Sequence, residues 1–154
     1  MNFWIFKGNP EKFHIDERLD DPEPNTTWRV KQHQDEVQAG DIAFIWVTGT
    51  KRGIRAIMEI TSNPVQMTEL KSEEKYYIDL EKEPVMRVSG IFRERFALIS
   101  SQTLKNIPSL SGLSVFHGFT RLTNYKMTNK EGEVLQQYVS KNHDMNVTAS
   151  QRRR

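Results

Sequence analysis

The chain has 154 residues, of which 36% are hydrophobic, so it can form one domain with a hydrophobic core but hardly two. It has no cysteine, which excludes disulfides, thiolate metal sites and cysteine nucleophiles and is typical of a cytoplasmic protein. No apolar run predicts a membrane span or a signal peptide. The formal net charge is only +2, so nucleic-acid binding has to be argued from where the charges lie.

The first half of the chain predicts strands separated by polar loops. The predicted elements are a strand at 2–7, a short helix at 13–19, a strand at 28–32, a helical turn at 34–38 that Gly40 ends, and strands at 42–48 and 54–61. The strand at 42–48 is apolar on both faces, since Ile42, Phe44 and Trp46 share one face and the residues between them share the other. We therefore expect this strand in the centre of a sheet.

The middle of the chain is more charged. The stretch 69–75 is interpreted as a solvated loop or short helix, and 76–80 is compatible with a strand. Residues 85–96 predict a half-buried strand with apolar side chains on one face. The predicted solvent face of this strand carries three guanidinium groups, those of Arg87, Arg93 and Arg95.

The C-terminal part predicts helices. Short helical pieces between Leu104 and Leu113 are interrupted by a proline and a glycine, and Thr128 to Glu131 forms a capping box. The helix that follows has an apolar stripe and should pack on the sheet; the stripe consists of Val134, Leu135, Tyr138 and Val139. The pattern ends near Asn142. This divides the chain into a domain of residues 1–142 and a flexible basic tail of residues 143–154.

Catalytic patterns are missing from the sequence. The four histidines have no metal-ligand spacing, and neither a glycine-rich phosphate loop nor a Gly-x-Ser-x-Gly motif occurs. The carboxylate pair Asp20-Asp21 is followed by prolines in a predicted surface loop, where hydration explains it. We therefore expect no enzymatic activity from this chain alone, no metal site and no cofactor, and would place any nuclease activity in another domain or partner.

The three tryptophans differ in the positions they predict. Trp4 lies within a strand, which favours the core. Trp28 begins a predicted strand, directly after a polar segment. This position favours a pocket wall, because a buried indole N–H finds a hydrogen-bond partner more easily at a strand end. Trp46 is compatible with either role, since its neighbours on the strand face are apolar and a Thr-Gly turn follows it.

Five blocks of sequence occur in a defined order. They are Phe3-Trp4-Ile5-Phe6 with Asn9-Pro10, Trp28-Arg29-Val30, Gly40-Asp41 with Phe44-Ile45-Trp46, Gly53-Ile54-Arg55-Ala56, and Leu122-Thr123-Asn124-Tyr125. This pattern resembles the EVE domain, a member of the PUA-like superfamily that includes the YTH readers of modified adenine. The resemblance implies a PUA-like α/β fold, a small, curved, mostly antiparallel β-barrel flanked by helices.

The spacing within these blocks resembles one group of EVE domains in particular. Trp-x-Val stands twelve residues before Gly-Asp, whereas this segment is longer in the eukaryotic nuclear members. The similar group is associated with prokaryotic modification-dependent restriction systems, in which EVE domains are fused to, or stand near, nucleases and AAA-type motors. The resemblance thus implies a nuclease or AAA-type motor as a partner.

The function implied by the resemblance is recognition of a modified base. The expected ligand is 5-methylcytosine or 5-hydroxymethylcytosine in DNA, flipped into an aromatic pocket with polar groups at its rim. The predicted pocket residues are Trp28, Val30, Trp46, Thr48, Asn124 and Tyr125. The residues predicted to bind the nucleic-acid backbone are Arg29, Lys31, Lys51, Arg52, Arg55, Arg87, Arg93 and Arg95.

Several alternatives stay open at the level of sequence. Arg55 stands where the family usually has an aromatic or aliphatic residue, so the ligand is not fixed. The same pocket would serve a reader of modified RNA, and a barrel with all its tryptophans in the core would serve a partner other than nucleic acid. Asn124 suits a base edge or a turn backbone equally well, and Tyr125 suits stacking on a base or stapling the following helix.

Overall fold

The computed structural model describes residues 1–117 and 122–152. The strands in these ranges are β1 Phe3–Gly8, β2 Asn25–Arg29, β3 Ile42–Val47, β4 Gly53–Ile60, β5 Val65–Met67, β6 Val85–Ser100 and β7 Asn124–Met127. The α-helices are α1 Ile15–Asp20, α2 Ser101–Lys105 and α3 Asn129–Arg152, and short 3₁₀ helices span Lys71–Tyr76, Pro108–Leu110 and Ser114–Phe116. No helix in these ranges has the length and apolarity needed to cross a membrane.

The strands form one mixed, curved sheet in the order β2-β6-β4-β3-β1-β7, with β5 paired to β6. The pair β1–β3 is parallel and the other recorded pairs are antiparallel. The strand β3 has neighbours on both sides, which confirms its predicted central position. The parallel pairing matters for function because it brings the carboxyl ends of β1 and β3 to the same edge of the sheet.

Each face of the sheet covers a hydrophobic core. Alternating residues of β1 and β3 point to opposite faces, so Phe44 and Trp46 lie in one core while Ala43 and Ile45 lie in the other. The first core is covered by α2, α3 and the short 3₁₀ helices near residue 110. The second is covered by α1 and the 3₁₀ helix Lys71–Tyr76. The period-two pattern read from the sequence therefore assigns both faces of β3 correctly.

The long helix α3 starts at the predicted capping box. The backbone N–H of Glu131 donates to Thr128 Oγ1 at 3.1 Å, and the N–H of Thr128 donates to Glu131 Oε1 at 2.8 Å. Gly132 lets the helix lie directly on Phe3, since a Cβ there would be 2.0 Å from the ring. From the predicted stripe, Leu135 and Val139 are buried in the core.

The helix α3 extends beyond the predicted boundary. The sequence pattern ends near Asn142, but the backbone stays helical through Arg152. Residues 133–152 contain neither proline nor glycine, so nothing in them stops a helix even though the apolar stripe is lost. The division into a domain of 1–142 and a flexible tail of 143–154 stays a prediction.

The second strand and the middle of the chain also differ from expectation. The strand β2 begins at Asn25 and ends at Arg29, three residues earlier than predicted. The segment 76–80 forms only an isolated bridge between Phe13 and Tyr77 instead of a strand. The stretch 69–75, predicted to be solvated, buries Glu69 and Glu73. These carboxylates are buried because each pairs with an arginine elsewhere in the chain, which a local pattern cannot show.

Candidate nucleic-acid interface

A cleft of about 620 Å³ opens at the edge of the sheet where β1, β2 and β3 end. Its volume is within the range of ligand sites, roughly 300–1,000 Å³. Gly8 is the last residue of β1 and Thr48 follows β3, and the backbone N–H of Thr48 donates to the carbonyl of Gly8 at 3.2 Å. The lining residues are Lys7, Gly8, Asn9, Lys12, Phe13, Thr27, Trp28, Arg29, Lys31, Thr48, Glu69, Tyr77, Asp79, Glu81, Arg87, Leu122 and Thr123.

One side of the cleft is an aromatic wall formed by Phe13, Trp28 and Tyr77. The ring centroids of Phe13 and Tyr77 are 4.5 Å apart, and those of Phe13 and Trp28 are 6.4 Å apart in an edge-to-face arrangement. The indole N–H of Trp28 donates to Lys7 O at 3.3 Å. The indole lies against Gly8 of β1, where a Cβ would be 3.5 Å from its ring, an ordinary van der Waals contact. Trp28 is therefore fixed in place, with 8% of its surface still exposed.

The cleft also has a basic rim, formed by Lys12, Arg29 and Lys31. Lys7 lines the cleft as well, but its ammonium lies 4.9 Å from the ring centroid of Tyr125. Desolvation lowers the pKa of Lys31 below its ordinary value, and the charges of Arg29 and Lys12 lower it further. In the part of the chain that the structure describes, Lys12, Arg29 and Lys31 form no ion pair. An anion bound at this rim would relieve the repulsion among these cations.

The lining of the cleft also includes acidic groups. Asp79 and Glu81 line the cleft from the segment that follows the 3₁₀ helix Lys71–Tyr76. The backbone N–H of Ile78 donates to the carbonyl of Lys12 at 3.0 Å, so this acidic segment runs beside the basic rim. Its carboxylates therefore limit where a polyanion can approach the cleft.

A buried ion pair also lines the cleft. Arg87 Nη2 donates to Glu69 Oε1 at 2.6 Å, while Arg87 Nη1 makes longer contacts of 3.4 Å to Thr27 Oγ1 and to the hydroxyl of Tyr77. Burial raises the pKa of the Tyr77 hydroxyl, which the nearby Arg87 partly counteracts. The predicted solvent exposure of Arg87 is wrong: only 4% of its surface is exposed, because the segment containing Glu69 and Tyr77 covers this end of β6.

Asn124 joins the two edges of the sheet next to the cleft. Its Oδ1 accepts hydrogen bonds from the backbone N–H of Lys31 at 2.8 Å and of Gln32 at 3.3 Å, and its Nδ2 donates to Arg29 O at 3.2 Å. In return, Gln32 Oε1 accepts from the backbone N–H groups of Thr123 and Asn124. These bonds link β7 to the chain that leaves β2, and so hold Arg29 and Lys31 at the rim.

The structure places the six predicted pocket residues in different surroundings. Trp28 and Thr48 line the cleft, and whether they touch a ligand stays a prediction. The remaining four are buried and do not line it; they are Val30, Trp46, Asn124 and Tyr125.

These four buried residues pack in a core or bond the backbone. Trp46 lies in the core on the far face of the sheet, 5.7 Å from the ring of Phe116, because it shares the strand face of Phe44. Tyr125 lies in the same core, and Val30 packs in the core that contains Trp28. Asn124 bonds the backbone with its amide and so positions the rim, and its contact with a ligand stays a prediction.

The eight basic residues predicted to bind the backbone are dispersed. Arg29 and Lys31 belong to the basic rim, and Arg87 is the buried partner of Glu69. Five of the eight do not line the cleft; these are Lys51, Arg52, Arg55, Arg93 and Arg95. Four of these five bind acceptors within the chain, in the pairs Arg52 with the carbonyl of Gly49, Arg55 with Asp16, Arg93 with Glu59 and Arg95 with the carbonyl of Glu23.

Several cleft residues were not predicted as part of a site. They are Lys7, Gly8, Asn9, Lys12, Phe13, Thr27, Glu69, Tyr77, Asp79 and Glu81. Leu122 and Thr123 also line the cleft, and they belong to the segment Leu122-Thr123-Asn124-Tyr125, which is predicted to close one side of the pocket. Of the residues that were not predicted, those at the ends of β1 and β3 could have been found from the topology. If these two strands are parallel, the residues at their carboxyl ends must meet at one edge of the sheet. For Glu69 and Tyr77 no such signal exists, since their position depends on how the charged segment folds over β6.

Replacing Asn124 by Ala is expected to destabilise the protein by about 1–3 kcal/mol, because the buried backbone groups it bonds lose their partners. Urea unfolding measures the change. Asn63→Ala is the matched control, since the exposed Asn63 makes a single bond to the N–H of Ala39. Equal stability of the two variants would contradict a structural role for Asn124.

Comparison with solved structures shows the same fold in other proteins. A hypothetical protein from Leishmania major has 18% identity and a TM-score of 0.65, with 93% of this chain and 97% of that chain covered. Human THYN1, solved in complex with 5-methylcytosine-containing DNA, has 19% identity and a TM-score of 0.63, covering 88% and 95%. Rpa0253 from Rhodopseudomonas palustris has 16% identity and a TM-score of 0.63, covering 87% and 90%. No curated protein matches the chain.

These similarities confirm the expected PUA-like α/β fold. The sheet, expected as a β-barrel, is curved but not closed, since β2 and β7 are its two edges among the described strands and do not pair with each other. In residues 1–117 and 122–152 no group of three His, Asp or Glu side chains is arranged to hold a metal ion. A family model described as the EVE domain matches residues 2–138, which include the whole sheet and the cleft. The chain therefore belongs to the EVE domain family.

Proposed function

We propose that the cleft binds a modified base, 5-methylcytosine or 5-hydroxymethylcytosine, that is flipped out of a DNA duplex. The observation that carries this proposal is the aromatic wall of Phe13, Trp28 and Tyr77 directly beside the basic rim. A flipped base needs flat apolar surfaces for stacking, and the adjoining backbone needs cations. The complex of human THYN1, a protein of similar fold, with 5-methylcytosine-containing DNA supports this choice of ligand.

The energies require both parts of the site. Flipping costs a few kcal/mol, and stacking one base on an aromatic wall returns roughly 1–3 kcal/mol. The difference has to come from phosphate contacts at the rim, which makes binding depend on salt. The 5-methyl group itself adds about 0.8 kcal/mol of apolar burial, which corresponds to a several-fold preference.

We extend the proposal to the setting in which the module acts. The spacing of Trp28-Arg29-Val30 before Gly40-Asp41 resembles that of the restriction-associated EVE domains. On this basis the chain supplies base specificity to a modification-dependent restriction system, and a nuclease or AAA-type motor in another domain or chain supplies the cleavage.

A panel of DNA duplexes that differ at one position tests the proposal. The position carries cytosine, 5-methylcytosine, 5-hydroxymethylcytosine or N6-methyladenine, and the affinity of each duplex is measured at several salt concentrations. We expect the modified cytosines to bind tightest and every affinity to fall with salt. Equal affinities across the panel, or tighter binding to single-stranded RNA of the same sequence, would refute the proposed ligand.

Replacing Trp28 by Leu should weaken binding to the 5-methylcytosine duplex by about 1–3 kcal/mol, through loss of the stacking surface. The variant is also less stable, because Trp28 packs on Phe13 and Gly8. Trp46→Leu is the control: it removes an equally buried indole from the far core, away from the cleft. If both variants bind DNA equally well per folded molecule, Trp28 is not a wall of the site.

A further inference from the structure

Two arginine–glutamate pairs are buried among the described residues, and they differ in how the carboxylate is bonded. Arg18 Nε donates to Glu73 Oε2 at 2.5 Å. Both oxygens of Glu73 also accept from the Thr26 hydroxyl, at 2.8 and 3.0 Å, and the backbone N–H of Thr27 donates to Oε1. Glu73 does not line the cleft, and its bonds join α1 and β2 to the 3₁₀ helix Lys71–Tyr76. The pair of Arg18 and Glu73 is therefore a structural connection between these three elements.

The pair of Arg87 and Glu69 is different because both residues line the cleft. Among the residues that the structure describes, the only hydrogen bond to Glu69 is the one from Arg87 Nη2, so Oε2 receives none. Arg87 Nη1 has only the two contacts of 3.4 Å, and its buried Nε has no partner in this part of the chain. Arg18 Nη1 is also buried without a partner among the described residues, so an unpaired guanidinium nitrogen does not distinguish the two pairs. The carboxylates do differ, because both oxygens of Glu73 accept hydrogen bonds while Oε2 of Glu69 accepts none from these residues. An open carboxylate oxygen beside a guanidinium at the wall of a cleft suits a ligand that carries a donor next to an acceptor.

We infer that Glu69, held in place by Arg87, recognises the 4-amino group of a flipped cytosine. The inference rests on the proposed function and specifies how that site selects its base. Cytosine presents a donor at N4 next to an acceptor at N3, and the pair presents a carboxylate acceptor next to a guanidinium donor. The amino group binds Glu69, and the ring nitrogen faces Arg87.

The same pair rejects bases that carry a carbonyl group at this position. Thymine has O4 in place of the amino group, so its oxygen faces the carboxylate of Glu69 and leaves that buried acceptor unpaired. Sites built to bond a polar group discriminate strongly against an analogue that lacks it. Adenine shares the arrangement of cytosine at N6 and N1, so the pair separates amino bases from keto bases and not the two amino bases from each other.

The test compares Glu69→Gln with wild type and with the matched control Glu73→Gln. Each protein is titrated with two duplexes that carry 5-methylcytosine or thymine opposite guanine, after thermal melting has shown that it is folded. For the wild type and Glu73→Gln we expect the 5-methylcytosine duplex to bind tighter by on the order of tenfold to a hundredfold. For Glu69→Gln the ratio should fall close to one, because an amide can donate to O4 as well as accept from an amino group. A purely structural Glu69 would leave the ratio unchanged, which would overturn the inference.

A second measurement needs only the wild-type protein, so the inference can fail even if Glu69→Gln does not fold. The probe is a duplex with 5-methyl-2-pyrimidinone, which is 5-methylcytosine without its 4-amino group. We expect it to bind weaker than the 5-methylcytosine duplex by a similar factor, and equal affinity would refute the role of Glu69.

The measurements distinguish a failure of the proposed function from a failure of this inference. If the wild type binds cytosine and 5-methylcytosine duplexes equally, the modified-base site is refuted and the inference with it. If the wild type prefers 5-methylcytosine to cytosine while the amino group proves irrelevant, the proposed function stands and only the assignment of Glu69 is wrong.

Discussion

Replacing Glu73 by Ala is expected to lower the free energy of unfolding by about 3–5 kcal/mol, since it leaves the charge of Arg18 unpaired in the interior. Only 1% of Arg18 is exposed. Its guanidinium also donates to the carbonyls of Glu23 and Asn25 and lies 5.0 Å from the ring centroid of Phe92, so it cannot move to solvent without disrupting the loop before β2. Urea unfolding measures the loss.

Two controls separate the buried charge from other effects of the substitution. Glu59→Ala breaks the exposed pair with Arg93 and should cost at most about 1 kcal/mol. The double variant Arg18→Met with Glu73→Leu should recover much of the stability of wild type, because two apolar side chains replace the pair without leaving a charge behind. If Glu73→Ala costs no more than Glu59→Ala, the buried pair is not the connection described above.

The sheet could be predicted to the extent that it depends on local periodicity. Alternation along β3 gives both faces of the strand, and the capping box at Thr128 gives the start of α3. The same alternation places Trp46 with Phe44 in the core. The Thr-Gly turn after Trp46 suggests an exposed strand end, but a distant segment that contains Phe116 packs on the indole. The end of α3 was missed since a helix without an apolar stripe gives no periodic signal.

The candidate site could be predicted only in part because it is assembled from separate segments. Trp28, Arg29, Lys31 and Thr48 come from the strand ends that the sequence analysis singled out. The pairing of Arg87 with Glu69 joins two residues whose own neighbourhoods both suggested solvent, and no local pattern reports such a partner. The amide of Asn124 likewise bonds a segment more than ninety residues earlier in the chain, a partner that no local pattern indicates.

The positions of the basic residues determine which of them are available for phosphates. Arg55, Arg87 and Arg93 were predicted to bind the backbone, but each is paired with a carboxylate. If one of these arginines bound a phosphate, its existing ion pair would break, so the net gain in binding free energy would be small. The basic rim has no such cost at Lys12, Arg29 and Lys31, which form no ion pair among the described residues and repel one another.

Replacing Lys12, Arg29 and Lys31 together by Gln should therefore reduce the salt dependence of DNA binding. With one phosphate neutralised by each, the slope of log K against log salt should become shallower by about 2.7, and the affinity should fall on the order of a hundredfold at physiological salt. The loss should be similar for modified and unmodified duplexes, because phosphate contacts carry no information about the base. Fluorescence anisotropy titrations at four or more salt concentrations measure both quantities.

In the matched control, Lys105, Lys130 and Lys141 are replaced by Gln. These lysines lie on α2 and α3 and do not line the cleft. Both triple variants take the formal net charge from +2 down by three units, to −1, so a general electrostatic effect would change them equally. An equal loss in both would show that the rim has no special role. A shallower slope for Lys51→Gln with Arg52→Gln, and none for the rim variant, would instead place the phosphates along the turn between β3 and β4. In that case the DNA would approach the cleft from the side of Thr48, and the three cations of the rim would need another anionic partner to account for their clustering.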